Sequence, residues 1–261
     1  MPTPPSLSPS AVAARLRAAG CVFAEDEADL LISTARTPGE LEEMVARRAA
    51  GLPLEHVLGW AEFHGLRIAV DPGVFVPRRR TEFLVDQALG LAASPRVVVD
   101  LCCGSGAVGA ALAASLGPVE LHAADIDPAA VRCARRNLAG VGRVYEGDLY
   151  EPLPDGLRGR VDILASNVPY VPTGEVALLP AEARLHEPRT ALDGGADGLE
   201  VMRRVTEGAP EWLAPGGILL FETSERQAPA ALDAVADGGL ETRLASSGDL
   251  HATVVIGIRA P

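Results

Sequence analysis

Residues Val97–Gly109 have the sequence VVVDLCCGSGAVG, in which three β-branched residues lead to an acid, a glycine turn and a run of small residues. The β-branched residues predict a buried strand of a parallel sheet, and the small residues after the turn predict the start of a helix. Because Gly104 and Gly106 lack side chains, a ligand can lie against the backbone of the turn, where the helix N-terminus favours electron-rich groups. This stretch therefore predicts a ligand-binding loop between a strand and a helix.

After this stretch the chain alternates between apolar β-branched runs and helical patterns. The predicted strands are Val97–Asp100, Val119–Ala124, Arg143–Glu146, Val161–Ser166, Gly217–Glu222, Leu240–Ala245 and Ala252–Ile258. The alternation predicts an α/β fold with an open, doubly wound sheet, which binds ligands at the carboxyl ends of its strands. Val171–Gly195 is expected to be a long irregular stretch, and such segments in compact domains often cover a site.

The residues before the glycine turn predict a separate part of the molecule. Three helical patterns come first, and the third opens with a capping box at Thr37–Glu40. A β-hairpin is expected over Trp60–Val70, with its turn at His64–Gly65. None of the residues in the helical part carries evident chemistry, so we expect a small helical bundle that serves recognition.

Composition limits the classes of function. A net charge of −12 argues against a protein that grips nucleic acid through a broad basic face. The four cysteines lack metal-ligand spacing, which predicts reduced thiols in a cytoplasmic protein and no metal site. No apolar run approaches the roughly 18 residues that a membrane span needs, so no membrane partner is expected. The three arginines Arg78–Arg80 are expected to form a solvated loop, with binding of an acidic substrate or ribosomal RNA as the alternative.

The glycine turn alone leaves the ligand open. Gly104–Gly109 matches the pattern G-x-G-x-x-G of dinucleotide-binding folds, and Asp125 follows about twenty residues later. The pattern is weak by itself, so an NAD-dependent oxidoreductase is one hypothesis. The absence of an evident acid or base for hydride transfer counts against it.

The fourth predicted strand ends in Asn167–Tyr170, with the sequence NVPY. A planar amide or amino nitrogen is a poor nucleophile because its lone pair is delocalised. The side-chain oxygen of Asn167 and the main-chain carbonyl of Val168 can accept its N–H groups, and Pro169 restricts the backbone around that carbonyl. Tyr170 offers a flat face for stacking. The tetrapeptide therefore indicates a site that directs such a nitrogen at an electrophile, with no general base needed before transfer.

In order and spacing, Asp100–Gly106 and Asn167–Tyr170 resemble the motifs of class I S-adenosylmethionine methyltransferases that modify amide or amino nitrogens. Further segments are similar to the protein N5-glutamine methyltransferases of HemK/PrmC type: Pro53–Gly59, Glu62–Phe63, Val76–Arg78 with Thr81–Glu82, and Glu187–Leu192 followed by Gly194. The resemblance covers nearly the whole chain. It implies an α/β fold with the doubly wound, Rossmann-like sheet of this class and a small N-terminal helical domain. It also implies S-adenosylmethionine as cofactor and the Gly-Gly-Gln glutamine of peptide-chain release factors as substrate.

The resemblance assigns roles residue by residue. The implied cofactor-binding residues are Asp100, Cys102, Cys103, Gly104, Ser105, Gly106, Asp125, Asp148, Leu149 and Asn167. The implied catalytic residues are Asn167, Val168, Pro169 and Tyr170. Among them, Asp125 would bind the ribose hydroxyls, Asp148 and Leu149 would frame the adenine, and Asp100 would lie near the amino group of the cofactor. The loop Cys102–Gly106 would wrap the methionine part.

Three departures from the family pattern accompany the resemblance. Val168 stands where the usual tetrapeptide Asn-Pro-Pro-Tyr has its first proline, which makes the turn less stiff. Arg79 and Arg80 replace the Pro-Asp of the usual segment Pro-Arg-Pro-Asp-Thr-Glu. Cys102 and Cys103 replace the usual Gly-Thr. These departures indicate a divergent paralogue whose substrate is a release factor or another protein with a target glutamine.

The resulting expectations are specific. Residues 1–80 are predicted to form a helical substrate-recognition domain with a hairpin linker, and residues 81–261 an S-adenosylmethionine-binding catalytic domain. The expected protein is a cytoplasmic monomer that methylates a protein glutamine at N5. An N6-adenine-type nucleic-acid methyltransferase is the alternative, because it shares the tetrapeptide, although the acidic charge counts against it. A binding protein that has lost catalysis through Val168 is a further hypothesis.

Overall fold

The structure is a computed structural model that describes residues 8–92 and 94–261. Residues 1–7, which the predicted first domain includes, and residue 93 lie outside the described residues. Within the described ranges, no helix has the length and apolar character to cross a membrane.

Four helices and a hairpin form the N-terminal part. They are α1 (Pro9–Ala18), α2 (Ala24–Thr34), α3 (Pro38–Ala49) and α4 (Leu54–Leu58), followed by β1 (Trp60–Phe63) and β2 (Leu66–Ala69). Thr37 caps α3 by accepting a hydrogen bond from the amide of Glu40, as the capping box predicts. Buried residues such as Val12, Leu31 and Val45 form a core of their own. The predicted hairpin is confirmed, with Phe63 opposite Leu66 in the antiparallel register.

The remaining chain forms a seven-stranded sheet flanked by helices. Its strands are β3 (Val97–Leu101), β4 (Glu120–Asp125), β5 (Gly142–Glu146), β6 (Val161–Ser166), β7 (Leu213–Thr223), β8 (Glu241–Ser247) and β9 (Ala252–Ile258). Its helices are α5 (Glu82–Leu91), α6 (Ala107–Leu116), α7 (Pro128–Asn137), α8 (Ala181–His186), α9 (Glu200–Trp212) and α10 (Ala228–Asp237). The strand order is β5-β4-β3-β6-β7-β9-β8, in which β9 pairs antiparallel with β7 and β8 and the other neighbouring strands are parallel.

The parallel strands bring the predicted site residues to one edge of the sheet. All five residues of β3 are buried, because apolar clusters cover both faces of the sheet. In the register, Leu101 of β3 lies beside Ala124 of β4 and Ser166 of β6. The segments that follow these three strands therefore begin side by side at the carboxyl edge, which is where a doubly wound sheet holds its ligand.

The prediction of an irregular stretch over Val171–Gly195 is wrong in part. This segment contains a 3-10 helix over Thr173–Leu178, the helix α8 and a 3-10 turn over Arg189–Ala191. Each of these elements follows a proline, whose fixed φ suits the start of a helical turn. Such short elements carry little periodicity, so a sequence pattern does not show them.

The predicted boundary at residue 80 stays a prediction. Side-chain contacts cross it. Arg48 of α3 donates to Glu27 of α2 at 2.6 Å and also to Glu182 of α8 at 2.5 Å. The helical part is therefore tied to the segment that follows the tetrapeptide.

Candidate active site

A first cavity of about 280 Å³ opens at the carboxyl edge of the sheet. Nine of the ten residues predicted to bind a cofactor line it: Asp100, Cys102, Cys103, Gly104, Ser105, Asp125, Asp148, Leu149 and Asn167. Gly106 does not line it. Gly106 is the residue just before α6 and has a φ of 78°. A Cβ on Gly106 would come within 3.2 Å of Ala134 and Leu138. Gly106 therefore shapes the turn and lets α7 pack closely against it.

Backbone hydrogen bonds to Asp125 hold the glycine loop in place. Its Oδ2 accepts from the amide of Gly104 at 2.8 Å, and its Oδ1 accepts from the amide of Asp127 at 2.9 Å. Each carboxylate oxygen keeps a second lone pair, so Asp125 can accept further hydrogen bonds from a ligand. Burial raises the pKa of Asp125 against the effect of these two amides.

Asp100 is the more deeply buried acid of this cavity, with 1% of its surface exposed. Its Oδ2 accepts from the amide of Gly109 at 2.8 Å. Burial raises its pKa to about 7, with a further contribution from Asp125. A cationic ligand in the cavity would favour the ionised form, because an opposite charge nearby lowers the pKa of a carboxyl.

The acidic side chains that line the first cavity fit S-adenosylmethionine. Asp100 and Asp125 are acids of this cavity with raised pKa values. A ligand that carries a sulfonium and an ammonium brings positive charge next to both acids, which offsets the cost of burying them in the ionised form. Asp148 is placed differently, since its Oδ2 accepts from Arg204 at 2.7 Å. Leu149 adds an apolar surface next to it that suits a planar base.

The two cysteines of the loop contribute apolar lining. Burial raises the pKa of both Cys102 and Cys103, so each is a neutral thiol. Cys102 has a φ of 54°, a conformation that glycine adopts more easily. This conformation explains why the family usually has glycine at this position. The cysteine adopts the same conformation under strain.

The tetrapeptide Asn167–Tyr170 separates the first cavity from a second one of about 860 Å³. Asn167 and Pro169 line both cavities, whereas Val168 and Tyr170 line only the second. A group in the second cavity can therefore meet a ligand of the first cavity across Asn167 and Pro169.

The backbone of the tetrapeptide is clamped by the segment 192–198, a contact that the sequence analysis missed. The amide of Val171 donates to the carbonyl of Leu192 at 3.0 Å, and the amide of Gly194 donates back to Val171 at 2.8 Å. A Cβ at Gly194 would lie 2.5 Å from the oxygen of Pro169, and one at Gly198 would lie 2.3 Å from the oxygen of Tyr170. The two glycines therefore permit a close approach of the backbones, and the only signal in the sequence was Gly194 in a segment of the family resemblance.

Arg78 and Arg80 correct the prediction of a solvated arginine loop. Arg78 donates through Nη2 to both carboxylate oxygens of Glu187 at 2.6 Å. Arg80 donates through Nε to Glu222 at 2.7 Å. Both arginines line the second cavity, whereas Arg79 lines neither cavity. The sequence analysis named Glu187 only within a segment of the family resemblance and predicted neither ion pair, because the partners are more than a hundred residues apart.

Comparison with known proteins identifies the family of this chain. The family described as Methyltransferase small domain matches residues 65–196. The release factor glutamine methyltransferase of Geobacter sulfurreducens is 42% identical over 192 residues, which cover 72% of this chain and 66% of that protein. The enzyme of the same name from Mycolicibacterium smegmatis is 39% identical over 214 residues, which cover 80% of this chain and 75% of that protein. The matched part thus spans about two thirds of the first relative and three quarters of the second.

Solved structures support the fold alone. A methyltransferase from Pyrococcus furiosus superposes with a TM-score of 0.58 at 18% identity, over 76% of this chain and 90% of that one. This likeness fits the mostly parallel seven-stranded sheet of a class I methyltransferase.

Proposed function

Because this chain belongs to the family of release factor glutamine methyltransferases, we propose that it transfers a methyl group from S-adenosylmethionine to a protein glutamine. The acceptor is the side-chain amide nitrogen, N5, of the glutamine in the Gly-Gly-Gln motif of a peptide-chain release factor. The cofactor occupies the first cavity and the glutamine enters from the second.

One observation carries this proposal: Asn167 and Pro169 line both cavities. An amide held against the tetrapeptide from the second cavity has its nitrogen next to the ligand of the first. In a site for methyl transfer the two reactants must meet across a short gap with the lone pair aligned, and such positioning can contribute on the order of 7–11 kcal/mol at the ideal limit.

The tetrapeptide supplies the acceptors that orient the amide. The side-chain oxygen of Asn167 accepts one N–H of the glutamine and the main-chain carbonyl of Val168 accepts the other. Tyr170 lines the substrate side of this wall, where its ring can stack on the amide plane. S-adenosylmethionine supplies an electrophilic methyl group when bound. The S–C bond breaks as the N–C bond forms, and one amide proton then leaves to solvent, so that no general base precedes transfer.

Different residues of the first cavity bind different parts of the cofactor. In this proposal Asp125 accepts hydrogen bonds from the ribose hydroxyls, and Asp148 and Leu149 frame the adenine. The loop Cys102–Gly106 follows the methionine part, and Asp100 faces the amino group. The two free acceptor lone pairs of Asp125 and the burial of Asp100 support these assignments.

Partner, compartment and oligomeric state complete the proposal. The partner is a protein, the enzyme is a monomer, and it acts in the cytoplasm. All four cysteines are free, which supports a reducing compartment. Light scattering after gel filtration would test the monomer.

A nucleic-acid substrate is the less favoured alternative. Arg78 and Arg80 line the second cavity, but each is paired with a glutamate. Their positive charge is therefore largely compensated, and a phosphate backbone gains little from it. The net charge of −12 adds a general repulsion.

A methyl-transfer assay tests the proposed function. Purified protein and labelled S-adenosylmethionine are incubated with release factors that carry Gly-Gly-Gln or Gly-Gly-Ala, and separately with total RNA and DNA. We expect label on the Gly-Gly-Gln protein alone, and none with the variant Asn167→Ala. Label on nucleic acid would establish the alternative instead.

A further inference from the structure

A hydrogen-bond network at the second cavity joins three segments that are far apart in the sequence. Arg80 precedes α5, Tyr170 ends the tetrapeptide, and Glu222 lies near the end of β7. Arg80 donates through Nη2 to the hydroxyl of Tyr170 at 2.6 Å and through Nε to Glu222 at 2.7 Å. The hydroxyl of Tyr170 in turn donates to Glu222 at 2.9 Å. The three side chains thus form a closed triangle of hydrogen bonds.

Glu222 is the buried centre of this triangle. Only 2% of its side chain is exposed, and its second oxygen accepts from the hydroxyl of Thr81 at 2.5 Å. A buried carboxylate is costly unless charge and hydrogen bonds compensate it. Arg80 is the cation that compensates it, while 44% of the arginine side chain stays exposed at the cavity. Burial and the nearby Glu222 raise the pKa of Tyr170, so its hydroxyl stays protonated and remains a donor.

We propose that Arg80 is a positioning residue for methyl transfer, which fixes the ring of Tyr170 and with it the end of the tetrapeptide. This inference rests on the proposed function. The hydroxyl of Tyr170 accepts one hydrogen bond and donates another, so the end of the ring that carries the hydroxyl cannot move away without breaking both. The ring is thereby held in place on the wall that receives the substrate amide.

Two departures of this chain from the family pattern meet in this network. Val168 makes the tetrapeptide less stiff than two prolines would. Arg80 stands where the usual segment has aspartate, and an aspartate could not take over its contact with Glu222 because two carboxylates repel each other. The triangle therefore supplies, two residues away from Val168, a restraint that the missing proline would otherwise give.

Hydrogen–deuterium exchange of the free enzyme tests the restraint without any substrate. In Arg80→Met and in Tyr170→Phe, the hydrogen-bonded amides of Val171 and Gly194 should exchange faster than in the wild type, by roughly 10-fold for a loss of about 1.4 kcal/mol. The control Arg79→Met changes a neighbouring arginine outside both cavities and should leave them unchanged. Amides of β3 serve as the reference for global unfolding. Unchanged exchange at Val171 and Gly194 in Arg80→Met would overturn the inference.

Kinetics separate positioning from a merely structural role. Arg80→Met should lower kcat roughly 10- to 100-fold, as for a misplaced group, with little change in the KM for the release factor or the Kd for the cofactor. In the Tyr170→Phe background, Arg80→Met should cost little more, because Arg80 acts through that hydroxyl. Arg80→Lys keeps the charge beside Glu222 and should fold normally with an intermediate kcat. Additive losses in the double variant would contradict the proposal. If the wild type methylates no protein, the proposed function fails, and the exchange data still decide the restraint.

Discussion

The two cavities on either side of Asn167–Tyr170 are held in shape by different means. In the first, buried carboxylates accept from backbone amides close in sequence, as Asp100 does from Gly109 nine residues away. In the second, arginine–glutamate pairs join distant segments: Arg78 and Glu187 are 109 residues apart, and Arg80 and Glu222 are 142 apart.

The two sides therefore tolerate different substitutions. The loop on the cofactor side depends on the backbone path from β3 to α6 and on the acceptor Asp125 at the end of β4, so other side chains of the loop can change, as Cys102 and Cys103 show, while the backbone stays. The substrate side depends on the identity of paired side chains, so a change such as Arg80 remodels it without touching the cofactor cavity. The tetrapeptide belongs to both sides, and substitutions can be ranked by whether they affect both cavities or one.

Gly194→Ala should have the largest effect, because it disturbs the wall itself. The new Cβ would lie 2.5 Å from the oxygen of Pro169 and 2.6 Å from that of Gly198, both of them backbone atoms. Overpacking typically costs about 1–3 kcal/mol of stability, and we expect methyl transfer to fall by roughly 100-fold or more through misplacement of the tetrapeptide. Thermal unfolding and the transfer assay measure the two effects.

Gly174→Ala is the matched control for this variant. Gly174 lies in the same segment after the tetrapeptide, and a Cβ there meets no atom within 4 Å. It should unfold and react like the wild type. Equal behaviour of the two glycine variants would show that the clamp on Pro169 does not matter.

Asp125→Ala should affect the first cavity alone. It removes the acceptor proposed for the ribose and also frees the amides of Gly104 and Asp127. Each lost hydrogen bond to a charged group is worth about 1.5–3 kcal/mol, so the affinity for S-adenosylmethionine should drop roughly 10- to 100-fold. Titration calorimetry measures it. Glu175→Gln, which breaks an exposed pair with Arg226 at the other cavity, should leave this affinity unchanged.

The same difference between the two cavities explains which parts of the structure could be predicted from the sequence. The strands Val161–Ser166 and Ala252–Ile258 have their predicted bounds, because a buried strand shows directly as an apolar β-branched run. Most residues of the first cavity could be named because the family resemblance assigns them, and they lie in or near the strand ends that the sequence pattern predicts. Gly106 shows the limit, because the pattern cannot tell a glycine that faces a ligand from one that faces α7.

In the second cavity the tetrapeptide was predicted, but the ion pairs that surround it could not be. Glu187 has a partner only because the chain folds Arg78 back against it, and no local pattern carries that information. The helical turns within Val171–Gly195 are equally hidden, because each is too short for a period and depends on contacts such as the one between Arg48 and Glu182.

Glu187→Gln should give a smaller effect that is confined to the second cavity. Glu187 is almost fully buried and holds Arg78 and the amide of Val76. The glutamine can keep one hydrogen bond but not the ion pair. Because part of Arg78 reaches water, we expect the binding free energy of the release factor to weaken by about 1 kcal/mol. This corresponds to roughly a 5-fold rise in its KM. Steady-state kinetics would measure it. An altered Kd for the cofactor would contradict the separation of the two sides.

The pH dependence of cofactor binding should give the smallest effect, and we expect it to arise from Asp100. Burial raises its pKa from 3.8 to about 7, so the carboxyl of the free protein is largely protonated at pH 6 and largely ionised at pH 8. A cationic ligand binds the ionised form better, and the affinity should therefore rise several-fold between these pH values and level off above them. In the ligand-free protein the sign is opposite: the folded state holds this proton more tightly than the unfolded chain, so the contribution of Asp100 to the free energy of unfolding falls as the pH rises from 4 to 7. Asp100→Asn keeps an acceptor for the amide of Gly109 and should flatten both profiles. A pH profile of cofactor binding that survives in Asp100→Asn would place the titrating group elsewhere in the cavity and leave Asp125 as the next acid to replace.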